Sequence, residues 1–172
     1  MKRRSAKTIK IMNNTLTIIM GIPGAGKSTL AAKLFRENNT NNLIFVYEAD
    51  QYMMENGQYK FDPTKLAYCH RMCQQNTEMS LRDGHNVIVS NTTLRRRDLN
   101  VYLEIAEEVG VPVRVIRMKS FYGSIHNVPE EKIAMMKRQM EEFDWTNLPD
   151  FVTVEDYNGS TPMQETFARC CN

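Results

Sequence analysis

The sequence GIPGAGKST, Gly21 to Thr29, follows LTIIM at positions 16–20 and precedes LAAKL at positions 30–34. The motif has the spacing G-x-x-x-x-G-K-S and stands between a predicted strand and a predicted helix, which is the context it requires. Glycines let successive backbone N–H groups approach a polyanion, and the N-terminus of the following helix favours negative charge. The sequence therefore predicts a loop that binds the phosphates of a nucleoside triphosphate.

The polar residues of this loop have distinct predicted tasks. Lys27 is expected to reach the β- and γ-phosphates, and the Ser28 hydroxyl to bind the accompanying Mg²⁺. ATP and Mg²⁺ are therefore the expected cofactors, whereas a glycine-rich turn that merely caps a helix is the alternative. The residues predicted to bind ATP are Gly21, Pro23, Gly24, Ala25, Gly26, Lys27, Ser28 and Thr29.

The composition is that of one compact domain. The chain has 172 residues, of which 42% are hydrophobic, and 22 basic residues against 20 acidic ones give a net charge of +2. We expect a single domain over residues 1–172 with a basic arm over residues 1–14. The apolar stretch behind the arm is too short for a signal peptide or a membrane span, and the four cysteines lack a zinc-binding spacing. We therefore expect a cytoplasmic protein without membrane attachment, of undefined oligomeric state.

Apolar segments alternate with helical patterns along the chain. Strands are predicted over residues 15–20, 43–47, 86–90, 112–118 and 151–154, and helices over residues 27–36, 63–82, 95–109 and 129–143. This alternation is typical of an α/β domain with a parallel sheet covered by helices on both faces. Ligands of such sheets bind beyond the carboxyl ends of the strands, so the polar residues found there are the candidates for the site.

Two of these strand ends carry polar side chains. Asp50 follows the second strand, where a carboxylate can accept a proton from an attacking hydroxyl, so it is our candidate general base. Its alternative role is the N-cap of a helix over residues 51–55. Glu48 is the rival candidate for the base. The third strand ends in SNTT at positions 90–93, where a P-loop ATPase usually has a metal-binding aspartate. Neutral groups at that place favour a transferase over a hydrolase.

Basic residues follow both the third and the fourth strand. Three arginines, residues 95–97, stand at the start of the third predicted helix, where the macrodipole disfavours positive charge, so they require solvent or anions. Two interpretations remain: a solvated face, or a contact with nucleic-acid phosphates. The last helix has an apolar stripe of Ile133, Met136, Met140 and Phe143 and an opposite charged face of Lys132, Lys137 and Arg138. We expect that face, within a segment of about residues 119–143, to close over the phosphates as a lid, and His126 is either part of it or an ordinary loop histidine.

Four segments together resemble the P-loop 5′-hydroxyl polynucleotide kinases over about residues 15 to 143: GIPGAGKST, ADQYM, VIVSNTT and HNVPEEKIAMMKRQMEE. The resemblance implies an adenylate-kinase-like core with parallel strands in the order 2-3-1-4-5 and a helical lid. It also implies transfer of the γ-phosphate of ATP to the 5′-OH end of a nucleic acid. Asp50 matches the family's general base, and Asn91 and Thr92 match a polar pair at the acceptor end. Arg95 and Arg96 complete the set that we expect to bind the acceptor.

The chain departs from that family at two positions. Met53 stands where the bacteriophage members have an arginine that reads the acceptor phosphate, and Gly123 stands where they have a lid arginine. Arg138 matches a basic position farther along the lid helix and is therefore our third catalytic candidate, with Lys137 as its rival. Two other functions remain open: a kinase of a nucleoside or another small hydroxyl compound, and a nucleotide-binding switch or ATPase.

Overall fold

The computed structural model describes residues 14–38, 43–123 and 128–159. In chain order its strands are β1 (Leu16–Met20), β2 (Ile44–Tyr47), β3 (Met54–Glu55), β4 (Gln58–Tyr59), β5 (Asn86–Val89), β6 (Val113–Met118) and β7 (Val152–Tyr157). The α-helices are α1 (Lys27–Asn38), α2 (Leu66–Arg82), α3 (Arg96–Val109) and α4 (Glu130–Glu141), and two short 3₁₀ helices cover Ala49–Met53 and Pro63–Lys65.

Five strands form one parallel sheet in the order β2-β5-β1-β6-β7. Counted among these five strands alone, the order is 2-3-1-4-5, so the predicted fold class is confirmed. β1 lies at the centre, and β5 aligns Val89 with Ile18 on one side and with Tyr47 on the other. Because the strands are parallel, the chain leaves β1, β2 and β5 at the same edge of the sheet.

Helices cover both faces of the sheet, because the central strands are apolar on both sides. Leu16, Ile18 and Met20 of β1 belong to a core with α2 and α3, whereas Ile19 belongs to a second core with α1 and α4. The predicted stripe of α4 is confirmed: Ile133 and Phe143 are buried, and Met136 and Met140 pack beside them. Cys69 and Cys73 are buried free thiols, as expected of structural cysteines; Cys170 and Cys171 lie outside the described residues.

A β-hairpin after the second strand was not predicted. β3 and β4 pair antiparallel around Asn56 and Gly57, which adopt φ angles of +51° and +79°. An Asn-Gly pair is a strong hairpin signal, but the strands are only two residues long and exposed, so they carry no hydrophobic pattern. Other differences are small: α2 begins at Leu66 after a 3₁₀ turn, α4 ends at Glu141, and β7 continues to Tyr157.

Arg96 ties the start of α3 to the turn between α4 and β7. Its guanidinium donates to the backbone carbonyls of Asp144 (3.0 Å), Thr146 (2.9 Å) and Asn147 (3.3 Å), and to the Asn100 side chain at 2.7 Å. The carbonyl oxygens are the negative partners that a basic residue at a helix N-terminus requires. None of the helices in the described part of the chain is both long and apolar enough to cross a membrane.

We predict that Arg96→Ala lowers the free energy of unfolding by about 1–2 kcal/mol, because hydrogen bonds from a charged donor are lost and the carbonyls are partly shielded. Arg97, whose side chain is 73% exposed, is the matched control, and Arg97→Ala should change stability by less than about 0.5 kcal/mol. Urea denaturation measures both variants. Equal effects of the two substitutions would contradict the tie.

Candidate active site

The loop between β1 and α1 has a backbone that suits phosphate. Gly24 and Gly26 adopt φ angles of +82° and +87°, which side chains disfavour. A Cβ at Gly24 would overlap the Gly123 carbonyl, and one at Gly26 would lie 3.2 Å from the Tyr122 ring. Because α1 begins at Lys27, the N–H groups of its first turn have no partner within the helix and are available to an anion. The structure therefore places the predicted ATP-binding residues in one turn at the end of β1.

Lys27 lies between this loop and the neighbouring strand end. Its Nζ donates to the Ile22 carbonyl at 3.0 Å and to the Thr92 hydroxyl at 3.4 Å. Burial lowers the pKa of Lys27 from its ordinary value to about 8. The negative charges of Glu48 and Asp50 act in the opposite direction and raise this pKa, but burial has the larger effect. Lys27, Asp50 and Thr92, which are far apart in the sequence, therefore share one site.

Two carboxylates stand beyond β2 and differ in their surroundings. Glu48 is half-buried and accepts a hydrogen bond from the Ser90 hydroxyl, whereas Asp50 is exposed in the 3₁₀ helix Ala49–Met53. The alternative role of Asp50 as the cap of a helix over residues 51–55 is wrong, because the 3₁₀ helix begins at Ala49 with Glu48 at its N-cap. An exposed carboxylate near Lys27 is accessible to a hydroxyl substrate, and its role as a base stays a prediction.

Asn91 and Thr92 lie next to each other but face different surroundings. Asn91 is buried; its Oδ1 accepts from the Ala49 N–H at 2.7 Å, and its Nδ2 donates to the Tyr102 hydroxyl at 3.0 Å. It also donates to the Cys73 sulfur, and burial raises the pKa of both Cys73 and Tyr102. The Asn91 amide thus fastens the segment that carries Asp50 onto β5, which sequence reasoning missed. Thr92 is exposed beside Lys27.

The three arginines at the start of α3 also divide. Arg95 and Arg97 are exposed, and Arg97 lies 3.5 Å from Asp98. Arg96, which we expected to bind the acceptor, instead donates to the turn at residues 144–147. The sequence alone does not distinguish these roles, because the carbonyls that Arg96 contacts come from a turn about fifty residues away.

The segment after β6 packs on the phosphate loop. The Tyr122 N–H donates to the Gly24 carbonyl at 2.9 Å, and the Ser120 hydroxyl donates to the Ala25 carbonyl at 3.3 Å. Lys137 of α4 places its ammonium 4.3 Å from the centre of the Phe121 ring, a cation–π distance. The Phe121 ring lies beside Gly24, where an added Cβ would be 3.1 Å from it. Lys137 therefore contacts a ring that packs on the phosphate loop.

Arg138 is exposed, and its guanidinium forms no hydrogen bond or ion pair with any residue that the structure describes. Its predicted role as the lid cation stays a prediction, and the contact of Lys137 strengthens the rival. His126 lies outside the described residues.

The side chains around the loop suit a hard cation. Ser28 exposes a hydroxyl in the first turn of α1, and Glu48 and Asp50 supply carboxylate oxygens near Lys27. Mg²⁺ prefers oxygen ligands and is usually held by one or two carboxylates together with substrate phosphates. The donor set therefore fits the expected Mg²⁺, with Ser28 as the residue that would bind it directly.

Two curated proteins are similar to this chain in sequence. PM0531, an uncharacterized protein of Pasteurella multocida (strain Pm70), is 27% identical over 132 residues, which make up 71% of this chain and 74% of that protein. NEDD4-binding protein 2 of Homo sapiens is 28% identical over 138 residues, which make up 74% of this chain but 8% of the human protein.

Solved structures share the fold. Kti12 of Chaetomium thermophilum, in complex with ADP-AlF3, has a TM-score of 0.59 at 10% identity, covering 83% of this chain and 89% of that one. The Pnkp1/Rnl/Hen1 RNA repair complex has a TM-score of 0.53 at 22% identity, covering 83% of this chain and 43% of that one. The APS kinase CysC of Mycobacterium tuberculosis has a TM-score of 0.51 at 15% identity, covering 74% and 97%. These likenesses establish the fold.

The family model AAA_33, described as an AAA domain, matches residues 16–121. That range is more than half of the chain and runs from β1 through the phosphate loop and the ends of β2, β5 and β6. The chain therefore belongs to the AAA_33 family of AAA domains and has the fold of a P-loop kinase.

Proposed function

We propose that the chain is an ATP-dependent polynucleotide 5′-hydroxyl kinase, which transfers the γ-phosphate of ATP to the 5′-OH end of DNA or RNA. The observation that carries this proposal is the meeting of Lys27, Asp50 and Thr92 at the edge of the sheet. A cation for the donor phosphates and a carboxylate for the acceptor hydroxyl are the two groups that phosphoryl transfer requires of a protein.

The donor is bound by the loop. The N–H groups of Gly24 and of residues 26–29 and the Lys27 ammonium would hold the β- and γ-phosphates, and Ser28 would bind the Mg²⁺, which would neutralise phosphate charge. Lys137, which stands on Phe121, or Arg138 would add a cation from α4. These groups stabilise the charge that develops on the transferred phosphoryl group.

The acceptor hydroxyl is activated on the opposite side. Asp50 accepts the proton while the acceptor oxygen forms a bond to the γ-phosphorus, and the bond from that phosphorus to the β–γ bridging oxygen breaks. ADP leaves with the bonding electrons. Thr92 and the exposed Arg95 and Arg97 would hold the phosphates of the acceptor strand, while Asn91 and Arg96 act through the backbone they fix.

A kinase of a nucleoside or another small hydroxyl compound is the second candidate. Two observations favour it. Arg96 is committed to the turn at residues 144–147, and the buried Met53 stands where the resembled kinases have an arginine for the acceptor phosphate. Few cations are therefore left for a nucleic-acid backbone. A switch or ATPase is the third candidate, and the exposed Asp50 carboxylate near Lys27, which is accessible to an acceptor hydroxyl, favours a kinase over it.

The first experiment measures transfer of labelled γ-phosphate from ATP to 5′-OH oligonucleotides, mononucleotides and nucleosides. We expect labelled oligonucleotides as the preferred product. Lys27→Ala should abolish transfer while the protein stays folded and melts cooperatively, because the main task of the Lys27 ammonium is to bind the phosphates. Preferred labelling of a nucleoside would favour the second candidate, and transfer by Lys27→Ala at the parental rate would contradict the nucleotide site.

Another prediction concerns the general base. Asp50→Asn should lower kcat by about 100-fold or more while ATP binding is retained, because asparagine keeps the shape and loses the proton acceptor. Asp150→Asn, in the exposed turn before β7, is the control and should be neutral. An unchanged kcat in Asp50→Asn would exclude Asp50 as the base.

A variant of the exposed arginines separates the two acceptor classes. The double variant Arg95→Ala/Arg97→Ala should raise the KM for an oligonucleotide and reduce the slope of log affinity against log salt by about 1 to 2, since fewer counterions are released. The KM for a nucleoside should stay the same. Arg36→Ala, at the exposed end of α1, is the control. Equal changes for both acceptors would show that the arginines serve ATP or folding instead.

A further inference from the structure

Glu48 has no part in the transfer described above, although it lies among the strand ends. It follows β2 directly, and its carboxylate accepts the hydrogen bond that the Ser90 hydroxyl donates. Ser90 follows β5 and is only 4% exposed. A half-buried carboxylate held by a buried hydroxyl has a fixed orientation, which an exposed surface glutamate lacks.

The register of the sheet brings this pair to the phosphate loop. Tyr47 of β2 pairs with Val89 of β5, and Val89 also pairs with Ile18 of β1, so Glu48 and Ser90 lie one step beyond paired strand ends. Glu48 and Asp50 are the two carboxylates whose charges favour the protonated form of Lys27. Of the two, Glu48 is the one whose carboxylate is held by a hydroxyl at the end of the neighbouring strand.

The end of β5 needs a carboxylate that its own residues do not supply. Mg²⁺ bound to nucleotide phosphates keeps several water ligands, and P-loop proteins hold it with a loop hydroxyl and a carboxylate at the neighbouring strand end. Ser28 supplies the hydroxyl, but β5 is followed by Ser90. The hydroxyl of Ser90 in turn holds the carboxylate of Glu48 at that place.

We propose that Glu48, oriented by Ser90, is the metal-positioning residue of the site and accepts hydrogen bonds from the water ligands of the nucleotide-bound Mg²⁺. The carboxylate that a P-loop ATPase carries on the strand next to β1 is supplied here from β2, one strand farther away. This inference rests on the proposed binding of Mg²⁺ and ATP, but not on the identity of the acceptor.

The test measures binding of ADP by calorimetry in EDTA and at increasing Mg²⁺ concentrations, so that no turnover is needed. Glu48→Gln keeps an oxygen that accepts from Ser90 and loses the charge. We expect no loss of ADP affinity in EDTA and an increase of about 10-fold or more in the Mg²⁺ concentration that gives half-maximal tightening, as is usual when a residue that orients metal ligands is lost. Glu107→Gln, on the exposed face of α3, is the matched control.

Two further variants keep the test decisive if Glu48→Gln folds poorly. Ser90→Ala leaves the carboxylate unheld and should shift the Mg²⁺ midpoint in the same direction by a smaller factor. Glu48→Asp retains the charge with a shorter reach and should recover part of the affinity for Mg²⁺. The double variant Ser90→Ala/Glu48→Gln should be no worse than Glu48→Gln alone, because Ser90 acts through Glu48.

The outcomes distinguish this inference from the proposed kinase. A parental Mg²⁺ midpoint in Glu48→Gln would overturn the inference and leave the kinase standing. Equal weakening of ADP binding in EDTA and in Mg²⁺ would also overturn it, because Glu48 would then support the loop or Lys27 instead of the cation. Failure of the parental protein to bind ADP under any condition would overturn the nucleotide site itself.

Discussion

The site depends on the position of β1 at the centre of a parallel sheet. Because β5 and β6 pair with β1 on its two sides, the chain that leaves β1 must turn sharply before α1 covers the sheet. The turn is possible because Gly24 and Gly26 adopt positive φ and because the segment after β6 packs directly against them. The same geometry directs the unpaired N–H groups of α1 and the ends of β2 and β5 towards one edge, where an anion and a hydroxyl can meet.

Polar residues around this edge fall into two sets. Those whose side chains are bonded within the protein position the backbone, and those whose side chains are exposed are available to substrate. Asn91 uses its amide on Ala49 and Tyr102, and Arg96 uses its guanidinium on the turn at residues 144–147. Asp50, Thr92, Arg95 and Arg97 remain exposed at or near the same edge. A hydrogen-bonded frame therefore presents a few exposed groups, so a substitution in the frame should act through position and stability, whereas one in the exposed set should act on binding or rate.

The sequence predicts the fold well because the fold follows from periodicity and from one motif. GIPGAGKST placed β1 and α1, and the alternation of apolar segments placed the other four sheet strands within a few residues. Side-chain partners were harder to predict, since they arise from chain segments far apart. Nothing near Arg96 indicates that it contacts the turn at residues 144–147, and nothing near Asn91 indicates burial against Tyr102. The Asn56-Gly57 hairpin signal was present, but its two-residue strands were too short for the hydrophobic pattern to support it.

We propose that the donor phosphates and the acceptor hydroxyl meet between the glycine loop and Asp50. A crystal structure with ADP, Mg²⁺ and a 5′-OH oligonucleotide would show both groups at once. We expect the β-phosphate within hydrogen-bond distance of the N–H groups of Gly24 and residues 26–29, and the terminal 5′-OH within hydrogen-bond distance of the Asp50 carboxylate. An oligonucleotide bound elsewhere, or an acceptor hydroxyl that contacts no carboxylate beyond β2, would contradict it.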